Sequence, residues 1–147
     1  HRRAWELATY ACRLPAGVTY PGEPPFENVG EASRLFFGAP LGIDVAEAVR
    51  FFRREAAVAD PALAGTLPTD TLVLLLTRLG RSAEALHAAV VRLADGGSPS
   101  PMQTAGLLPS LVELAAASGE WDLLLDACRR HGDAITFAAA IAARTAV

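Results

Sequence analysis

The stretch Leu72–Leu93, LVLLLTRLGRSAEALHAAVVRL, reads as two helices broken at Gly80. A related pattern, LVELAAASGEWDLLLDACRRHG over Leu111–Gly132, breaks at Gly119, 39 residues after Gly80. A weaker copy, LGIDVAEAVRFFRREAA, starts at Leu41, and its Glu47-Ala48-Val49 precedes Glu84-Ala85-Leu86 by 37 residues. Periods of this size predict stacked helical hairpins, because each hairpin needs its neighbours to bury its apolar face.

Working outward, helical spacing predicts a first helix over Arg2–Leu14, ended by Pro15-Ala16-Gly17. The segment VTYPGEPPFE, residues 18–27, holds three prolines and cannot continue a helix; its Tyr20 and Phe26 suit packing on the body. Asn28 then caps a short helix over 29–37, and Asp44 caps one over 45–59 that Asp60-Pro61 ends. Thr69 is expected to cap a central helix over 70–79, and Ser82 one over 83–95. Beyond the turn-rich linker Gly96–Pro101, a helix over 102–118 is expected, with Pro109 marking a kink or a late start. Helices over 120–131 and 134–145 follow, the first stopped by Gly132 and the second capped by Asp133. No run reads as a strand. The expected fold is all-α, a single domain over 1–147. It divides into N-terminal helices with a Pro-rich loop (1–40) and hairpin units at 41–68, 69–101 and 102–147.

Composition narrows the function. At 147 residues with 52% apolar content, the chain can bury a real core. Its longest apolar run, Ala134–Ala143, is too short to cross a bilayer, which needs about 20 residues. No signal-peptide pattern is visible at His1-Arg2-Arg3. The missing initiator Met points to a trimmed start, a tag remnant or an excised fragment. All 13 basic residues are arginine. That fits either a GC-rich coding sequence or a need for bidentate donors. The net charge of −3 argues against a nucleic-acid partner. Cys12 and Cys128 fit no metal spacing, and both sit in apolar helical patterns that predict buried free thiols, compatible with a reducing, cytoplasmic setting, with a structural disulfide or a reactive thiol as the alternatives.

The hairpins resemble the tetratricopeptide family. Leu79-Gly80-Arg81-Ser82-Ala83-Glu84-Ala85-Leu86 looks like the turn and second-helix start of such a repeat, and Ser118-Gly119-Glu120-Trp121-Asp122 carries the same turn. The small Ala85 would let two helices approach closely. The resemblance covers on the order of 100 residues of repeats whose family period is about 34. Departures stand at Thr69, where the family favours Trp, and at Val73 and Val112, where it places Gly. They stand also at Leu124, in place of a small residue, and at Ala89 and Cys128, in place of a large aromatic. What the resemblance implies is a tetratricopeptide-like (TPR-like) α-α superhelix, with the first helix of each hairpin lining a concave binding surface. The family's Lys and Asn carboxylate clamp is absent, so no binding residue is carried over.

Candidate partner-binding residues are Arg50, Arg53 and Arg54, clustered on one helix with Arg34 in reach, and Arg78 beside the Gly80 turn. Arg50 and Arg54 share a helix face and could grip a carboxylate. Pairing with Glu47 and Glu55, and the helix macrodipole at Arg78, account for the same residues without a ligand. His87 and His131 lie in different hairpins and form no metal spacing. Asp122 and Asp126 share a face that capping and solvation explain, and Glu113 stands alone among Leu and Ala. The segment around Gly80 also looks like a DNA-reading helix–turn–helix, but its second helix offers mainly His87 and Arg92 to base edges.

The reading that follows is a non-catalytic scaffold that binds a protein or peptide, with no cofactor and no metal. The Ala-rich terminal helix offers a homodimer contact as a second kind of partner. The alternative function is a helical regulatory domain acting on DNA or on transcription machinery.

Overall fold

The structure, a computed structural model, describes residues 2–11, 29–58, 66–95 and 101–147. Every regular element among them is helical. The chain divides into two compact units, His1–Pro68 and Thr69–Val147. The predicted Pro-rich loop, Cys12, the Asn28 cap, the Asp60-Pro61 stop and linker residues 96–100 lie outside the described residues.

The first unit holds α1 (Arg2–Ala11), α2 (Val29–Gly38) and α3 (Val45–Val58). Helix α2 packs on both of the others. Its core is Ala32, Leu35, Ala39, Ala48, Val49 and Phe52. Phe36 and Phe51 meet Phe52 edge-on at 6.1 and 5.1 Å, the preferred geometry for rings with negative faces and positive edges. Gly38 closes α2 against α1, where an added Cβ would stand 2.9 Å from Trp5 Cδ1. Helix α3 starts just after Asp44, as expected, but Asp44 takes a positive φ of 49° and its carboxylate turns to Arg34.

The second unit holds α4 (Thr66–Arg78, entering from the last residues of the first unit), α5 (Ser82–Val90), α6 (Pro101–Thr104), α7 (Leu111–Ser118), α8 (Trp121–His131) and α9 (Ala134–Thr145). Helix α7 packs against α5, α8 and α9, and α8 lies along α9. Leu72, Val73, Leu75 and Leu76 of α4 are buried, as are Ala85, Leu86 and Ala89 of α5. Leu124, Leu125, Ala127 and Cys128 form the buried stripe of α8, while Asp122, Asp126, Arg129 and Arg130 face solvent. Helix α9 buries only Ala140 fully; Ile135 is 85% exposed.

Several helix ends differ from expectation. Helix α4 begins at Thr66, so Thr69 lies inside it and caps nothing. Pro68 explains the difference: the first turn of a helix has no partner for its N–H groups, and proline fits there. Ser82 is the first residue of α5, not its cap; Arg81 stands at the cap position without a side-chain bond. The helix expected over 83–95 passes into a 3-10 turn at Val91–Asp95. The segment 102–118 is not one helix, since α6 ends at Thr104 and α7 starts only at Leu111, the late start that Pro109 allowed. Gly119 and Gly132 end α7 and α8 in the left-handed region, at φ 78° and 70°. Asp133 caps α9 as expected, accepting 2.9 Å from the Thr136 N–H.

Candidate functional site

The second unit carries a groove made of two adjoining cavities of about 540 and 640 Å³. They share Ala89, Arg92, Gln103, Ser110 and Leu111. One extends along Val112, Ile135, Thr136 and Ala139; the other runs toward Asp70, Val73, Leu108 and Pro109. Aliphatic and polar side chains share the lining almost equally, and most of the polar ones pair with one another: Asp70 with Arg92, Ser110 with Glu113, Asp133 with Thr136. In a binding site apolar surface gives affinity and polar groups fix orientation.

Local chemistry builds each wall. Ser110 and Glu113 form a capping box at the head of α7. The Glu113 N–H donates to Ser110 Oγ at 3.1 Å, and the Ser110 N–H donates to Glu113 Oε2 at 2.7 Å. The Ser110 backbone N–H first, and the Ser110 hydroxyl second, hold the Glu113 carboxyl below its usual range. Asp133 at the head of α9 is lowered likewise by Thr136. The far end is set by Asp70 and Arg92, whose side chains form an ion pair at 1% and 11% exposure. Asp70 Oδ1 accepts from Arg92 Nη1, while the buried Oδ2 has no partner.

The four arginines singled out from the sequence do not line this groove. Arg50, Arg53 and Arg54 are exposed on α3 of the first unit, with Arg54 5.6 Å from the centre of the Phe51 ring. Arg78 is exposed in the last turn of α4, in the second unit. Arg34 is held by Glu31, Asp44 and Glu47, so it is engaged by acids on α2 and at the head of α3. Glu47 thus reaches Arg34 at 3.7 Å.

The other candidates are engaged locally. Asp126 pairs with Arg129, and Asp122 with Arg144, each at 2.8 Å. Arg81 chelates Glu84 at the first turn of α5, just after Gly80. His87 is exposed on α5, 4.0 Å from Glu120. Arg92, the cation offered to DNA bases by the helix–turn–helix reading, is instead buried against Asp70. Cys128 is a buried free thiol whose pKa is raised, chiefly by burial. Among the described residues no three His, Cys, Asp or Glu side chains cluster to hold a metal ion, and no helix is long and apolar enough to cross a membrane.

Sequence reading missed Asp70 and the role of Glu113. The Ser110-x-x-Glu113 spacing is a capping-box signature and was available. Asp70 carried no such signal, because its partner lies 22 residues away. Comparison with protein-family models, curated proteins and solved structures returns no match.

Proposed function

We propose that the chain is a non-catalytic, TPR-like helical scaffold that binds a protein or peptide segment in the groove of its second unit. One observation carries the reading: α4 and α7, the helices that lead into the turns at Gly80 and Gly119, and α9, which opens the next antiparallel step after Gly132, each contribute to the groove wall. A surface lined by leading helices is what the hairpin repeat implies for a binding scaffold. The apolar lining supplies anchoring, and Ser110, Gln103 and the Asp70–Arg92 pair supply orientation. Arg50 and Arg54, exposed on the first unit, would offer a separate contact to acidic groups of a partner.

The test is selection of peptides from a random display library on the purified protein. Binders are then measured on the Ile135→Arg and Val112→Arg variants, which place charge in the groove at positions that are not fully buried. Loss of affinity by about tenfold or more on either variant supports the groove, a difference of about 1.4 kcal/mol. Selected binders indifferent to both variants would remove it.

A further inference from the structure

We propose that the Asp70–Arg92 pair reads a peptide group of the bound segment, taking its N–H on Asp70 Oδ2 and giving its C=O a guanidinium N–H of Arg92. The inference rests on the reading of the groove as a peptide site and names the group recognised there. Asp70 stands in the wall of the cavity lined by Val73, Ala89, Leu108 and Leu111, and Arg92 borders both cavities. The Asp70 side chain is 1% exposed, yet Oδ2 has no hydrogen-bond partner. A buried acceptor without a donor is costly, and such an atom in a cavity wall marks a place where a ligand completes the bond.

Charge selects the ligand's chemistry. Asp70 and Arg92 cancel each other at this end of the groove, where a cation would be repelled by Arg92 and an anion by Asp70; Glu113 of the same cavity and Asp133 of the adjoining one are engaged in their own helix caps. A neutral group meets no such penalty. Among the described residues Arg92 hydrogen-bonds only to Asp70, through Nη1, which leaves further guanidinium N–H groups as donors. One unpaired acceptor beside unpaired donors, which a ligand seated in the cavity would reach by displacing the side chains that cover Oδ2, is the complement of an amide, which carries one N–H and one C=O. The aliphatic wall next to it accepts the side chain attached to that amide.

The experiment compares two matched probes on the full chain by two-dimensional NMR titration. N-isopentylacetamide carries the N–H, the C=O and a leucine-like body. Isopentyl acetate is the ester analogue, which keeps the C=O and the body but has no N–H. The expected result is that both shift resonances of Ala89 and Leu111, with the amide binding about tenfold tighter, the scale of one hydrogen bond to a charged group. Asp70→Asn retains an oxygen for Arg92 and can put an NH₂ where Oδ2 was, so it should erase the preference for the amide. If that variant does not fold, the comparison on the unmodified protein still decides. Equal binding of amide and ester would overturn the inference while leaving an apolar groove. Absence of shifts at the cavity with either probe would also overturn it, whereas the library selection judges the groove independently.

Discussion

The carboxylate of Asp70 and the guanidinium of Arg92, 22 residues apart in the chain, meet inside the second unit as an ion pair with both side chains shielded from solvent. The pair ties the first turns of α4 to the 3-10 turn that follows α5. Removing one member leaves the other charge buried alone. Arg92→Ala is therefore expected to cost about 3–5 kcal/mol, whereas joint replacement by apolar residues of similar size costs far less. Urea unfolding of Arg92→Ala and of the Asp70→Leu/Arg92→Met double variant checks this. A single variant no less stable than the double would show that the pair is solvated.

Gly38 owes its place to Trp5. Its φ of −77° is ordinary for a helix, so backbone preference alone would favour alanine. The Trp5 ring instead occupies the space at 2.9 Å. Gly38→Ala is expected to destabilise the first unit by about 1–3 kcal/mol through overpacking. Trp5→Leu should recover part of that loss in the double variant, since the ring is the obstacle. Thermal melts of the two single variants and the double provide the measurement, and strict additivity would exclude the contact.

Acid should loosen the molecule at its caps. Glu113, held down by the Ser110 backbone and hydroxyl, and Asp133, held down by Thr136, bind protons less readily folded than unfolded. Glu31 behaves likewise through its hydrogen bonds to Arg34. A lowered folded pKa gives stability that is complete above the ordinary carboxylate range, about pH 4, and is lost as pH falls through the lowered values. Asn also serves as a cap, so Asp133→Asn should keep most of the stability at pH 6 and show a shallower loss toward pH 3. Urea midpoints across that range would expose an unchanged slope, which would remove Asp133 from the account.

Cys128 should be inert while the protein is folded. Its thiol is buried and its pKa raised, and the thiolate is the reactive form. In a Cys12→Ser background, labelling by a thiol reagent should proceed only through unfolding and accelerate with urea. Fast labelling without denaturant would contradict the burial.

What the sequence made legible follows from the range of each interaction. Glycine stops and the Asp133 cap act within one turn, so Gly119, Gly132 and Asp133 could be read directly. The buried stripe of α8 follows from a period of 3.6 residues. Thr69 misled because a proline one residue earlier looks like a barrier, although it is welcome in a first turn. The division between α6 and α7 was only half legible, since Pro109 marked a break without fixing its length. The groove was not legible at all. Asp70 of α4, Arg92 of the 3-10 turn after α5 and Leu111 of α7 meet at one cavity, and no periodicity records that α7 lies against α5.

The turn at Gly119 has a stereochemical consequence. Its backbone sits at φ 78°, and an added Cβ would meet nothing within 4 Å. No neighbouring atom opposes an L side chain there; only its handedness does. L-alanine at this position would be strained, at a cost of about 1 kcal/mol. D-alanine, its mirror image, has that same φ as a favoured state and would restrict the unfolded chain, for a gain of about 0.4–1 kcal/mol. A chemically ligated protein carrying D-alanine at Gly119 would thus melt above the parent, and its L-alanine twin below.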